Sequence, residues 1–297
     1  MKRKFFLRNG LLAAAWLSQK GKASVFLDND IEELQDFKPN KSKLLGFNHI
    51  PSTEKENHMD YIIHRADTRG HANHGWLDTH HSFSFASYYN PERMNFGVLR
   101  VLNDDRVAAG MGFGTHPHDN MEIISIPLEG DLEHKDSMGN IAVIKNGDIQ
   151  VMSAGSGITH SEYNRNKNQE VRFLQIWVYP NKGNVKPRYD QITLNRSDRK
   201  NKLQQILSPN PEDEGVWIHQ DAWFYLSDLE KGSSIAHTSK RSQNGVYIFV
   251  LNGELKVNDE TIGKRDGMGI RKLTGELKIE AISNAEFLLM DVPMQLS

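Results

Sequence analysis

The chain has no cysteine among its 297 residues, which excludes disulfides, thiolate nucleophiles and the thiolate-rich closed sites common for structural zinc. The redox compartment stays open. No apolar run approaches the roughly 20 residues of a membrane-spanning helix. An excess of one charge is lacking too, since 36 Lys+Arg against 38 Asp+Glu leave a net charge of -2 and no basic face for nucleic acid. The rest, 38% hydrophobic and 25% charged residues, is the composition of a globular protein. Its length is enough for two domains with cores of their own.

Histidine is plentiful at 13 residues, and His116, His118, His160 and Glu162 stand apart because they form two pairs at i, i+2 spacing. Alternate side chains of a strand share a face, so each pair projects its members the same way. Two such strands facing each other would place three imidazoles and one carboxylate around a common point, which is a metal site. This donor set suits a transition metal with coordination positions left open for chemistry.

The surrounding glycines fit a cupin barrel. Gly110 precedes His116-Pro117-His118, Glu122 follows, and an apolar run ends at Gly130; the second half runs from Gly147-Asp148 through Ala154-Gly155-Ser156-Gly157 to His160-Ser161-Glu162. Gly130, Gly147, Gly155 and Gly157 fall where turns or close backbone approach are needed.

Together with Arg69-Gly70-His71, Gly75-Trp76-Leu77, His81-Ser82-Phe83-Ser84-Phe85, Thr115-His116-Pro117-His118 and Gly157-Ile158-Thr159-His160-Ser161-Glu162, the pattern resembles the pirin family of bicupins, in its bacterial quercetin 2,3-dioxygenase group. The resemblance runs from about Met59 to the C-terminus. It implies an all-β fold of two tandem cupin (jelly-roll) barrels with an N-terminal extension. It also implies that His116, His118, His160 and Glu162 bind one divalent transition metal per chain, iron(II) first, with Mn, Ni, Co, Cu or Zn as alternatives. The activity implied is ring opening of a flavonol or similar small aromatic phenol using O2, with Glu162 as the base that takes the hydroxyl proton. Some pirin-like proteins instead act as metal- or redox-dependent regulators that bind a partner protein. Glu122, where many cupins place a carboxylate ligand, is expected behind the ligands rather than among them.

Three regions follow: 1–58, 59–190 carrying the metal site, and 205–297 without one. In the first, Lys2-Arg3-Lys4 before Phe5-Phe6-Leu7 and the apolar stretch to Leu17 resemble a twin-arginine leader, with Gly21 and Ala23 near a cleavage point. Export and cytoplasmic residence both remain open. The polar segment 27–58 reads as linker. Strands are expected over 96–102, 121–128, 141–144, 149–152 and 171–179, and again from Val216 to Pro293, where Asn252-Gly253 signals a hairpin.

The second block has no His-x-His or His-x-Glu pair, so His219 and His237 read as hydrogen-bonded or solvated. His71, His74, His80 and His81 cluster without shared strand periodicity and do not read as ligands; His81, inside the His-Ser-Phe-Ser-Phe run, reads as supporting the fold or lining the cavity. His134 reads as a residue reaching behind the site, and Asp119, Glu122 and Ser161 as candidate acceptors for ligand N–H groups. Met111, Phe113, Met121 and Met152 read either as pocket lining or as plain core.

Overall fold

The computed structural model describes residues 60–296, so the leader-like segment and linker expected over 1–58 lie outside the described residues. Those residues form 22 strands, with only the 3-10 turns Ala66–Thr68 and Arg196–Arg199 as helix.

The strands make two barrels of one plan, each a seven-stranded sheet faced by a four-stranded one. In the first barrel the larger sheet runs Arg188–Thr193, Asp148–Ser153, Glu122–Glu129, Val171–Val178, Leu99–Val107, Leu77–His81, Gly70–Asn73. Its smaller sheet runs Gly112–His118, Ile158–Asn164, Leu132–Asp136, Ile141–Ile144. The second barrel repeats this order with Asp60–His64, Gly267–Arg271, Asn244–Asn252, Ala285–Pro293, Trp223–Leu229, Gln204–Ser208, Val216–Trp217, and opposite it Ser234–His237, Leu277–Ala281, Glu254–Val257, Glu260–Gly263. Asp60–His64 precedes the first barrel in sequence yet pairs with Gly267–Arg271 of the second, so the chain laces the two together.

Strand alternation decides what each face buries. In the larger sheets Ile124, Ile126, Leu174 and Ile176 share one cluster with Phe224, Phe249, Leu251 and Leu288 of the other barrel. Their strand neighbours turn inward instead, Ser125 and Gln175 in the first barrel and Val246, Ile248, Val250, Phe287 and Leu289 in the second. Both faces are therefore buried, and these segments read as near-continuous apolar runs rather than polar alternation.

The same alternation explains why one barrel can hold a metal and the other is filled. On Ile158–Asn164 the inward residues are Ile158, His160, Glu162 and Asn164; on its counterpart Leu277–Ala281 they are Leu277, Ile279 and Ala281. His118 pairs with Ile158 and His116 with His160, while His237 pairs with Leu277 and Ile235 with Ile279. His237 thus occupies the position of His118, alone among apolar residues. Its Nε2 lies 2.9 Å from the buried Asp291 carboxylate.

Candidate metal centre

The strands Gly112–His118 and Ile158–Asn164 pair antiparallel, and between His160 and Glu162 their register shifts so that the first carries one extra residue. Bulges of this kind re-aim side chains. Here the extra residue brings the Gly114 carbonyl 2.8 Å from His116 Nδ1. Nδ1–H donates to that carbonyl, and Nε2 is left as the metal-facing atom.

The three imidazoles form a triangle with ring centroids 4.5 Å apart for His116–His160, 4.8 Å for His116–His118 and 4.9 Å for His118–His160. One nitrogen from each lies within 4.8 Å of the others. All three residues are buried. Burial drives out the charged form of two of them: His118 is lowered to about 3, by burial first and by His116 second. His160 falls well below its ordinary value, by burial and then by the neighbouring imidazoles. Neutral imidazoles offer lone pairs rather than repelling a cation.

His160 shows most directly that the residues fit a metal. Its Nε2 is buried without a hydrogen-bond partner, a cost a bound cation would remove. Its Nδ1 lies 3.4 Å from His134 Nδ1, and His134 Nε2 lies 3.2 Å from Asp136 Oδ2. For Nε2 to ligate, Nδ1–H must donate to His134, whose Nε2–H then donates to Asp136. The partner behind His160 is therefore His134, and not Asp119, Glu122 or Ser161.

Glu162 is fully buried two residues beyond His160 on the same face. Its carboxylate accepts from Ser125 Oγ at 3.0 Å and from Gln175 Nε2 at 2.9 Å. Burial raises its pKa to about 7, against the lowering pull of those two donors. The trio of converging nitrogens does not include it.

Glu122 departs from expectation. It shares a face with Ile124, which packs into the seam between barrels, and its Oε2 accepts from Ser153 Oγ at 2.6 Å. It therefore points away from the imidazoles. Burial raises it to about 7, opposed by Ser153, Arg188 and the backbone of His219.

A cavity of about 40 Å³ adjoins His116, walled by Phe85, Asp105, Phe113, Gln175 and Trp177. Of the apolar residues weighed from sequence, Phe113 lines it, whereas Met152 and Met121 pack with Ile123 and Ile158, and Met111 packs among Leu77 and Phe173. His81 does reach the cavity, with Nδ1 2.8 Å from Asn103 Oδ1. Asp105 gave no sequence signal, as one acid in the polar run Asn103-Asp104-Asp105-Arg106. It accepts a short bond from Thr79 Oγ1 at 2.5 Å, and burial raises its pKa to about 8. A larger concavity, about 450 Å³, lies in the charged seam and shares with this cavity only Asp105.

Known proteins agree with this architecture. A family model described as Pirin matches residues 63–178, and one described as Quercetinase C-terminal cupin domain matches residues 205–292. The chain is 43% identical over 231 residues, 78% of this chain and 98% of the relative, to the quercetin 2,3-dioxygenase of Escherichia coli strain K12. It is 38% identical over 226 residues, 76% of this chain and 96% of the relative, to a pirin-like protein of Caulobacter vibrioides. The bacterial pirin YhhW of Escherichia coli, solved in complex with nickel(II), superposes with a TM-score of 0.75 at 41% identity, over 79% of this chain and 99% of that one. Matches over both barrels, and a relative covered almost end to end, establish that the chain belongs to the pirin family.

Proposed function

We propose that the protein is a metal-dependent dioxygenase of the quercetin 2,3-dioxygenase type, acting on a flavonol or similar small phenol with O2. His116, His118, His160 and Glu162 would hold the metal, iron(II) in this reading. The metal would supply Lewis-acid polarisation of the reactants. The chain's own residues do the rest. The observation that carries the reading is the convergence of three buried imidazoles, with the buried carboxyl of Glu162 two residues beyond His160 on the same face.

Glu162 is the carboxylate placed to take the phenolic proton, in a site buried away from water. Gln175 and Ser125 each donate to one of its oxygens, fixing its plane. Gln175 also lines the cavity, with the Phe85, Phe113 and Trp177 rings as apolar walls. The relatives named as quercetin 2,3-dioxygenase support the substrate class.

The test is Glu162→Gln, which keeps the shape and removes the base. Turnover with quercetin should fall at least a hundredfold, while metal content falls far less. Full activity in Glu162→Gln would remove the base assignment.

One observation favours a second reading, a metal-dependent regulator that binds a partner protein. The cavity of about 40 Å³ has room for about three waters, far less than a flavonol needs. In the enzyme reading the cavity must widen on binding, and among its lining residues Ala86 holds a left-handed φ of 47°. Flavonol binding monitored through the flavonol's own absorbance separates the two: an enzyme binds it at micromolar levels, whereas a closed regulator does not.

A further inference from the structure

The strands Gly70–Asn73 and Leu77–His81 form a hairpin at the edge of the first barrel, with His71 paired opposite His80. Leu77, Thr79 and His81 turn inward and line the cavity beside His116. Asp78 and His80 take the alternate positions on the outer face. There, His71 Nε2 lies 2.8 Å and His80 Nδ1 3.9 Å from the same oxygen, Asp78 Oδ1. One donor atom from each of the three residues lies within 4.8 Å of the others.

We propose that His71, Asp78 and His80 form a second, outer site for a divalent transition metal of the zinc class. Two imidazoles, borderline donors, beside one hard carboxylate favour zinc, nickel or copper over magnesium or calcium. Three protein ligands leave a fourth position for water in a tetrahedral site. The carboxylate is already anchored, because Arg106 Nη2 donates to its other oxygen at 2.6 Å. That leaves Oδ1 between the two rings, and the proton it shares with His71 stands where the cation would sit.

The rings now stack 4.4 Å apart with planes 20° from parallel. A cation cannot lie in both planes, so each ring must turn about χ2, a torsion with a broad well. Side-chain exposures of 51% for His71 and 37% for His80 leave that rotation free. An ion held there would clamp the edge strand to its neighbour directly behind the cavity wall. Sequence spacing shows only the Asp78-x-His80 pair, because the third ligand, His71, joins them across the hairpin.

Zinc titration by calorimetry of the metal-stripped full-length protein tests the proposal, independently of what the inner site does catalytically. Wild type should bind two equivalents. His71→Ala and Asp78→Asn should each weaken one equivalent at least tenfold and spare the other, and His116→Ala should do the converse. Far-UV circular dichroism and the spared equivalent report that the variants fold. A single equivalent in wild type overturns the outer site, as do two unweakened equivalents in both outer variants. Loss of both equivalents together would show that the sites are not separate.

Discussion

Asp105 and Glu162 are carboxyls buried in the same barrel interior, and removal from water moves both in the same direction. For Asp105 the folded pKa of about 8 exceeds the unfolded value near 3.9. Its contribution to stability is therefore intact below about pH 4 and is lost as the pH rises through about 8. Asp105→Asn keeps an acceptor for the Thr79 hydroxyl and removes the titration. Urea denaturation of the metal-free proteins should show the variant gaining roughly 3–4 kcal/mol on the wild type between pH 5 and pH 8. Parallel pH profiles would contradict the buried neutral carboxyl. The Asp136–His134–His160 chain makes a second prediction: His134→Ala leaves His160 Nδ1 without its partner and should weaken metal binding about 10–100-fold in chelator competition. Unchanged affinity would mean that His160 needs no orientation from behind.

At the scale of elements, the turn before Ile158–Asn164 is fixed by Gly155, whose φ is +51° and whose Cβ would fall 2.0 Å from the Val185 carbonyl oxygen. Gly155→Ala should cost roughly 2–4 kcal/mol by combined overpacking and backbone strain, read as a lower urea midpoint. An unshifted midpoint would show that the neighbouring segment yields freely. Local pattern made much of this scale legible. The expected strand at 141–144 matches Ile141–Ile144, and 121–128, 149–152 and 171–179 shift by a residue or so. The expected 96–102 slid to Leu99–Val107, because Phe96 bridges back to Leu99 before the strand begins. The convergence of His116, His118 and His160 was legible because inward residues at i, i+2 obey strand period. His134, Gln175, Asp105 and the His71–His80 pair were not, since each acts through a cross-strand or cross-barrel neighbour that no local spacing encodes. Glu122 misled for the same reason, as one position of phase decides which face a strand residue joins.

For the whole molecule, the shared cluster between the larger sheets and the lacing of Asp60–His64 into the second barrel make the barrels one cooperative unit. The metal-free protein should unfold in a single calorimetric transition with equal calorimetric and van't Hoff enthalpies. Two resolved transitions would mean that the seam is weaker than its burial implies. Division of labour follows from the same packing: the second barrel fills its interior with Ile279, Ala281 and Phe287 and braces the first, which is left free to hold polar ligands. The central claim, that the imidazole trio supports dioxygen chemistry on a flavonol, is tested most directly by oxygen uptake of metal-quantified protein with and without quercetin, beside His116→Ala. The account predicts uptake that requires both the flavonol and His116; no uptake by protein carrying about one metal per chain at the inner site would contradict it.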